Sequence, residues 1–525
     1  MRILMNKQYP LLSKFKVTFT LILILGISAC SEPVSYDLIF RGGTIIDGSD
    51  GEAYQGDLAI NGDQIVAIGQ LDDASGEIEI DASGLVVAPG FINIHSHAVG
   101  DALPTAVNMI SQGVTTEIMN SDGYGPVDIN TQFDSYRQNG LALNVGGFIG
   151  FNSVWSEVVG TENIRPTQVQ ISQMQDIIRV GLEAGSWGVS AGLDYVPGYY
   201  ATTEEVIAVL EPFAAWNVVF ANHDRVTPES GYSSVTGMTE TITIGEEAGL
   251  IPLVTHMKVQ GWEQGKADEI LEAMRVANTS NSEGAVADVY PYLAGQTGLA
   301  ALIIPSWAQA GGRDAMLERF RDSELRASII EEAEASMDLR WGGPSGVFVG
   351  GQQELTDIMN DLETDSHGEA VIRILEESDN GVILRFGSEE DLIKIMQHPS
   401  VSIACDCDAA QEGEPVHPRY WGTFPKVLGE YVREKGALTL ENAIYKMTSL
   451  PAKTIGIEDR GLLKPGMAAD ITVFDPATII DHATFDTPTA RPEGIEYVVI
   501  NGEMAFSNGV ATGVQAGEVL SRALP

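Results

Sequence analysis

The sequence predicts an α/β protein, a (β/α)8 barrel carrying a small β-sandwich domain built from both chain ends. Three observations predict it. The two ends share one strand-and-turn grammar, eight apolar runs alternate with helical text between them, and four of the chain's eight histidines close such runs.

The first residues are read as a targeting segment and set apart from the fold. Met1 to Lys16 carries basic residues and no acid, "VTFTLILILGISA" is too short for a comfortable membrane span, and Cys30 ends it. This resembles a bacterial lipoprotein signal over 1–30, with Cys30 as the lipidated first residue of the mature chain; a plain secretory signal or a membrane anchor is the alternative. The resemblance implies an outer-membrane lipoprotein facing the periplasm, touching the membrane only through its lipid. Beyond Cys30 only Cys405 and Cys407 remain, two apart in "SIACDCDA", so a disulfide framework is not expected. They flank Asp406 and read as packing residues rather than ligands. With 73 acids against 30 basic residues, a formal charge of −43 argues against nucleic acid or anionic lipid as the main partner. The scattered acids read as a solvated surface. Nothing in the sequence sets an oligomeric state.

From Tyr36 to Gly69 short β-branched runs are broken by Gly, Asn and Asp, and Asn61-Gly62 reads as a hairpin turn. The same grammar returns in "GMAADITVFDP" and "EYVVINGEMAFSNG", with Asn501-Gly502 as the turn. Neither end has enough strands for a stable sheet, so 31–89 and 455–525 are expected to combine, with 90–454 inserted between them.

Within that insertion the runs "GFINIHSH", "GVTTEIMNSDG", "LNVGGFIGFN", "WGVSAGLDY", "VVFANHDR", "IPLVTHMK", "AVADVYPY" and "VSIACDCD" read as parallel strands. Helical text such as "TQVQISQMQDIIRVGLEAG" and "KADEILEAMRVANTSN" lies between them. The alternative, a doubly wound open sheet, lacks a glycine-rich phosphate loop after its first strand. Residues 302–381 break the rhythm with mostly helical text and are expected to form a lid or substrate wall.

In a barrel the residues closing each strand gather on one rim. His95 and His97 close the first strand, one residue apart and so on one face. Asp122 closes the second, His223 the fifth, His256 the sixth and Asp406 the eighth. Four imidazoles and two carboxylates define a divalent-metal site by ligand type. His367, His398 and His482 read as surface residues.

These residues carry a resemblance. "VVAPGFINIHSH" and "RGLLKPGMAADITVFDP" are similar to the amidohydrolase superfamily, and the likeness covers nearly all of the mature chain. Within it, "GVSAGLDYVPGYYATTEEV", "THMK", "DVYPYLAGQT", "HPRYWGTFP" and "KMTSLPA" resemble the N-acyl-D-amino-acid deacylases. The resemblance implies hydrolysis of the amide of N-acyl-D-amino acids at one or two divalent ions, zinc first, with manganese, iron or cobalt as alternatives. His95, His97, Asp122, His223 and His256 would be ligands, and Asp406 would move the proton. Lys258 and Tyr290 would hold the substrate's carboxylate, with Gln296 at a further carboxylate contact; His417, with Arg419, reads as a residue that shapes the pocket or packs its loop, with substrate contact as the alternative. The residue-level alternative for Lys258 is a rim lysine paired to an acid. Departures accompany the likeness. Asp122 stands where the deacylases carry a bridging cysteine, with Glu117 as a competing bridge. Gln296 replaces a common Ser or Thr, and Phe151 a common histidine. Competing readings are another amidohydrolase acting on dipeptides or cyclic amides, and a non-catalytic binding lipoprotein.

Overall fold

The computed structural model describes residues 34–97, 100–280 and 284–523, so the lipoprotein reading of residues 1–30 lies outside the described residues. Among the described residues no helix is long and apolar enough to cross a membrane.

The two ends do merge. Val86–Pro89 pairs antiparallel with Ile471–Phe474, and this joins the end segments into a nine-stranded sheet. Ser35–Ile45 pairs along one side with Tyr54–Asn61 and divides its other side between Ser75–Asp81 and Val86–Pro89. The strands enclose an apolar core that includes Phe40, Leu58, Ile60, Ile65, Ile471 and Val499. The expected turns are found at both hairpins. The first closes one residue later than expected, over Gly62-Asp63, because Asn61 remains in the ladder opposite Gln64 and its Oδ1 accepts from Asp37 N at 3.0 Å. In the second, Asn501 and Gly502 both have positive φ, 48° and 83°.

The barrel follows directly. Its strands are Phe91–Asn93, Val114–Met119, Asn144–Gly147 continued by Ile149–Gly150, Gly188–Gly192, Val219–His223, Ile251–Val254, Val286–Val289 and Val401–Ile403. Each pairs parallel with the next, and a parallel bridge from Ser96 to Cys407 joins the eighth to the first. All eight expected runs therefore supply strands. Ile92, Ile118, Phe148, Val219, Leu253 and Ala404 belong to one buried apolar cluster. The crossing from sheet to barrel needs glycine, since a Cβ on Gly90 would stand 2.2 Å from Thr115 Oγ1. Helices start where side chains can cap them: Thr167 and Gln170 form a reciprocal capping box before Gln168–Glu183, as Thr202 and Glu205 do before Thr203–Leu210.

Two features differ from expectation. The break after the seventh strand contains a small antiparallel sheet as well as helices. Its strands, in spatial order, are Ala294–Gly298, Gly381–Arg385, Val347–Val349 and Gln353–Glu354. It shares a separate apolar core with the helices Ser323–Trp341 and His367–Glu377. The final residues also leave the sheet domain. Leu520 joins the cluster that holds Ile92 and Phe148, and its carbonyl accepts from Trp187 Nε1 at 3.0 Å.

Candidate metal centre and cavity

The strand ends carry the ligands into one place. His95 Nε2 lies 3.4 Å from Asp122 Oδ1 and 3.5 Å from Asp406 Oδ1, and His97 Nε2 lies 2.9 Å from the same Asp406 oxygen. Asp122 Oδ2 lies 3.6 Å from His223 Nδ1, which lies 2.7 Å from His256 Nε2. The six residues thus form two groups, His95–His97–Asp122–Asp406 and Asp122–His223–His256, with ligand atoms within 4.8 Å of one another in each. Asp122 belongs to both. The backbone is bent to achieve this: Asp122, His256 and Asp406 all have positive φ, 56°, 36° and 51°. Such conformations cost of the order of 1–3 kcal/mol each for ordinary residues and concentrate at functional sites.

The donor set fits a divalent ion. His95 Nε2 and Asp122 Oδ1 are buried and, among the described residues, make no hydrogen bond beyond facing each other at 3.4 Å, which is costly unless something else fills the gap. Burial pulls the His95 imidazole down, yet Asp288, Asp122 and Asp406 outweigh it and hold the ring well above its ordinary range. The same carboxylate field favours a bound cation.

Asp288, absent from the sequence-based site, orients His95. Its Oδ2 meets His95 Nδ1 at 3.4 Å, leaving Nε2 to face the cluster, while its Oδ1 accepts from His256 N at 2.7 Å. Ligating histidines depend on such partners for tautomer and orientation. Asp288→Asn would set an amide donor against Nδ1–H, and metal affinity should fall by roughly 10–100-fold in competition titrations. Unchanged affinity would remove Asp288 from this role.

Asp406 is ionised by its surroundings. Burial raises its carboxyl, but Arg419, His95 and His97 outweigh that and hold it well below the ordinary carboxylate range. Arg419 is itself buried, with Nη1 2.6 Å from Asp406 Oδ2. It stands two residues after His417 in "HPRYWGTFP", which marked the segment without showing the pair.

Glu117 does not compete with Asp122. It faces Asn93 and Ser96, at 3.5 and 3.4 Å, away from the ligand groups. Burial, and then Asp408, push its carboxyl up to about 8. The folded value lies above the unfolded one, so between about pH 4.5 and 8 the native chain keeps a proton that the unfolded chain releases, and stability falls as pH rises. Glu117→Gln should therefore match the parent near pH 4.5 and become increasingly more stable than it towards pH 8, as read from urea midpoints. A pH-independent difference would contradict this.

A cavity of about 530 Å³ opens above the ligands and is lined by His97, Asp122, His223, His256 and Asp406. Lys258, Tyr290 and Gln296 line it too, as expected, together with Tyr195, whose ring centroid lies 4.4 Å from that of His223. Lys258 Nζ donates to Tyr290 O at 2.9 Å and sits 3.7 Å from that ring's centroid. Burial pulls its ammonium down to about 7, against Asp406 and Asp288. The insertion forms a wall of the cavity through residues such as Leu302 and Trp341.

For His417 the substrate-contact alternative is corrected and the packing reading fits: it does not line the cavity but is fully buried among Tyr290, Tyr292 and Phe485. Its Nδ1 accepts from Arg419 N at 3.0 Å and its own N donates to Gln296 Oε1 at 2.6 Å, so it holds two cavity residues from behind. Phe151 is likewise buried, against Trp155. Cys405 and Cys407 are buried and belong to neither ligand group, as expected, but a disulfide joins them across Asp406, which corrects the expectation of none. Of the three histidines read as surface residues, only His482 is exposed; His367 and His398 are half-buried.

A barrel with these ligands at its C-terminal rim defines a candidate divalent-metal centre of the kind that activates water for hydrolysis. A profile described as "Amidohydrolase family" matches residues 395–506. The chain is 33% identical to a D-aminoacylase of Alcaligenes xylosoxydans xylosoxydans, over 94% of this chain and 99% of that protein. It is 31% identical to an N-acyl-D-aspartate deacylase and 30% to an N-acyl-D-glutamate deacylase from the same organism, over 93% and 90% of this chain and 96% and 93% of those proteins. A solved D-aminoacylase structure superposes with a TM-score of 0.77 at 30% identity, covering 93% of this chain and all of that one. The N-acyl-D-glutamate deacylase of Bordetella bronchiseptica, solved with zinc and a phosphonate inhibitor, does so at 0.78 and 28%, with the same coverage. The chain belongs to the amidohydrolase family, in its D-aminoacylase-like subgroup.

Proposed function

We propose that this protein hydrolyses the amide bond of N-acyl-D-amino acids, releasing a carboxylate and a free D-amino acid. The observation that carries this reading is the buried Lys258 in the cavity wall, beside a ligand cluster whose ionised Asp406 faces the same space. Asp122, His223 and His256 would hold one divalent ion, and His95 and His97 with Asp122 a second. A divalent ion there supplies Lewis acidity toward the scissile carbonyl and lowers the pKa of a water in reach. Asp406 accepts the proton from the attacking water and hands it to the departing nitrogen. Arg419 and His97 keep that carboxylate ionised and oriented. Lys258, seated on Tyr290, meets the substrate's α-carboxylate, which restores the charge that burial disfavours. Gln296, its amide oxygen tied to His417 N, offers its NH2 as a further donor.

The test is turnover of N-acetyl-D- and N-acetyl-L-amino acids by the chain lacking residues 1–29, with and without chelator, beside metal analysis. Chelator-sensitive release from D substrates alone is expected. Turnover of hydantoins or D-dipeptides in their place would overturn the substrate. We also propose that Cys30 carries lipid and tethers the enzyme to the outer membrane, on the resemblance of 1–30 to a lipoprotein signal. The full chain should fractionate with membranes and Cys30→Ala should not.

A further inference from the structure

The three curated relatives divide by side chain, and identities of 33, 31 and 30% do not choose among them. The charges of the cavity do. Apart from the histidines, two cations line it, Lys258 and Arg419. Arg419 is committed to Asp406 at 2.6 Å, and Lys258, on the deacylase reading, to the α-carboxylate. The other arginines nearby are engaged elsewhere. Arg340 pairs with Asp194 at 2.9 Å, with both side chains buried, and Arg385 lies over the Phe348 ring at 4.3 Å. The insertion supplies Leu302 and Trp341 to the lining and a single charge, Asp379, beside Asn380, and the strand that ends it and the residue after it add Leu384 and Phe386.

A second carboxylate on the substrate would therefore leave water without meeting a cation of its own, and the acids it would face besides the ligands are Asp379, exposed at the cavity wall, and the buried Asp224. Desolvating an unpaired charge is expensive, and a like charge in the wall adds to the rejection. An apolar side chain loses nothing polar and covers the apolar wall.

We propose that this cavity selects N-acyl-D-amino acids with uncharged, apolar side chains and rejects those with acidic ones, Asp379 being the repelling charge. The proposal rests on the deacylase reading and deepens it. The test compares kcat/KM for N-acetyl-D-leucine and N-acetyl-D-glutamate on the metal-loaded chain, with Asp379→Asn and Asp379→Lys alongside. A preference for the leucine derivative on the order of 10²-fold or more is expected. It should shrink in Asp379→Asn and shrink further, by about 10-fold or more, in Asp379→Lys. Comparable turnover of the two substrates by the parent, or a ratio unmoved by Asp379→Lys, would overturn it. If no N-acyl-D-amino acid is turned over, the deacylase reading fails by itself. Calorimetric binding of the same two compounds then reads the cavity alone, and equal affinity would overturn the charge selection.

Discussion

Asp406→Asn is expected to lower kcat by about 10²–10⁴-fold, the range typical of a lost general acid–base group, while the protein still binds a divalent ion. The expectation follows from how the ligands are divided. Asp406 Oδ1 stands beside His95 and His97 only, whereas the group of Asp122, His223 and His256 is complete without it. An amide at 406 keeps the shape and cannot accept the proton. The change also leaves Arg419 a buried cation without its carboxylate, so unfolding midpoints should fall, by an amount read separately from catalysis. Because Arg419 and the two imidazoles hold the Asp406 carboxyl low, loss of its ionisation should not limit the rate near neutrality. If metal disappears together with activity, Asp406 acts first as a ligand and its assignment to proton transfer falls.

Much of this site was legible in the sequence because its information is local. Each apolar run ends in a polar residue, and the barrel topology converts that ending into a place on the rim. His95, His97, Asp122, His223, His256 and Asp406 could be gathered by that rule alone. What could not be read depends on contacts between distant segments. Asp288 has no ligand spacing; it matters because it faces His95, 193 residues away. Arg419 was visible as part of a motif, but its ion pair with Asp406 is set by the packing of the helix Arg419–Lys426. For His417 the choice between packing and substrate contact stayed open, because chain position near a cavity does not say which side of the wall a ring occupies. The insertion's strands, two to five residues long, are too short for a period to register. The Cys405–Cys407 disulfide was missed for a geometric reason. Residues two apart on a regular strand are separated by about 6.7 Å, near the upper limit for a disulfide. Asp406 between them takes a left-handed conformation, and the Cα atoms come to 5.2 Å.

Asp122→Ala should have the larger effect on metal. Its Oδ1 faces His95 Nε2 at 3.4 Å and His256 Nε2 at 3.8 Å, and its Oδ2 faces His223 Nδ1 at 3.6 Å. Among the described residues no other belongs to both ligand groups, so its removal takes one ligand from each at once. Affinity should fall by more than the roughly 10–100-fold that an outer-shell change costs, leaving trace metal after dialysis and no measurable turnover. Loss of either His97 or His223 alone should spare one group, and the contrast with Asp122→Ala tests whether the carboxylate is shared. Asp122→Cys separates ligand chemistry from position. A thiolate is softer than a carboxylate, so this variant should retain metal and shift its preference toward zinc over manganese in competition. Should Asp122→Ala instead keep full metal content, the bridge would lie with another residue. Glu117, the remaining candidate by sequence, could serve only by turning away from Asn93 and Ser96.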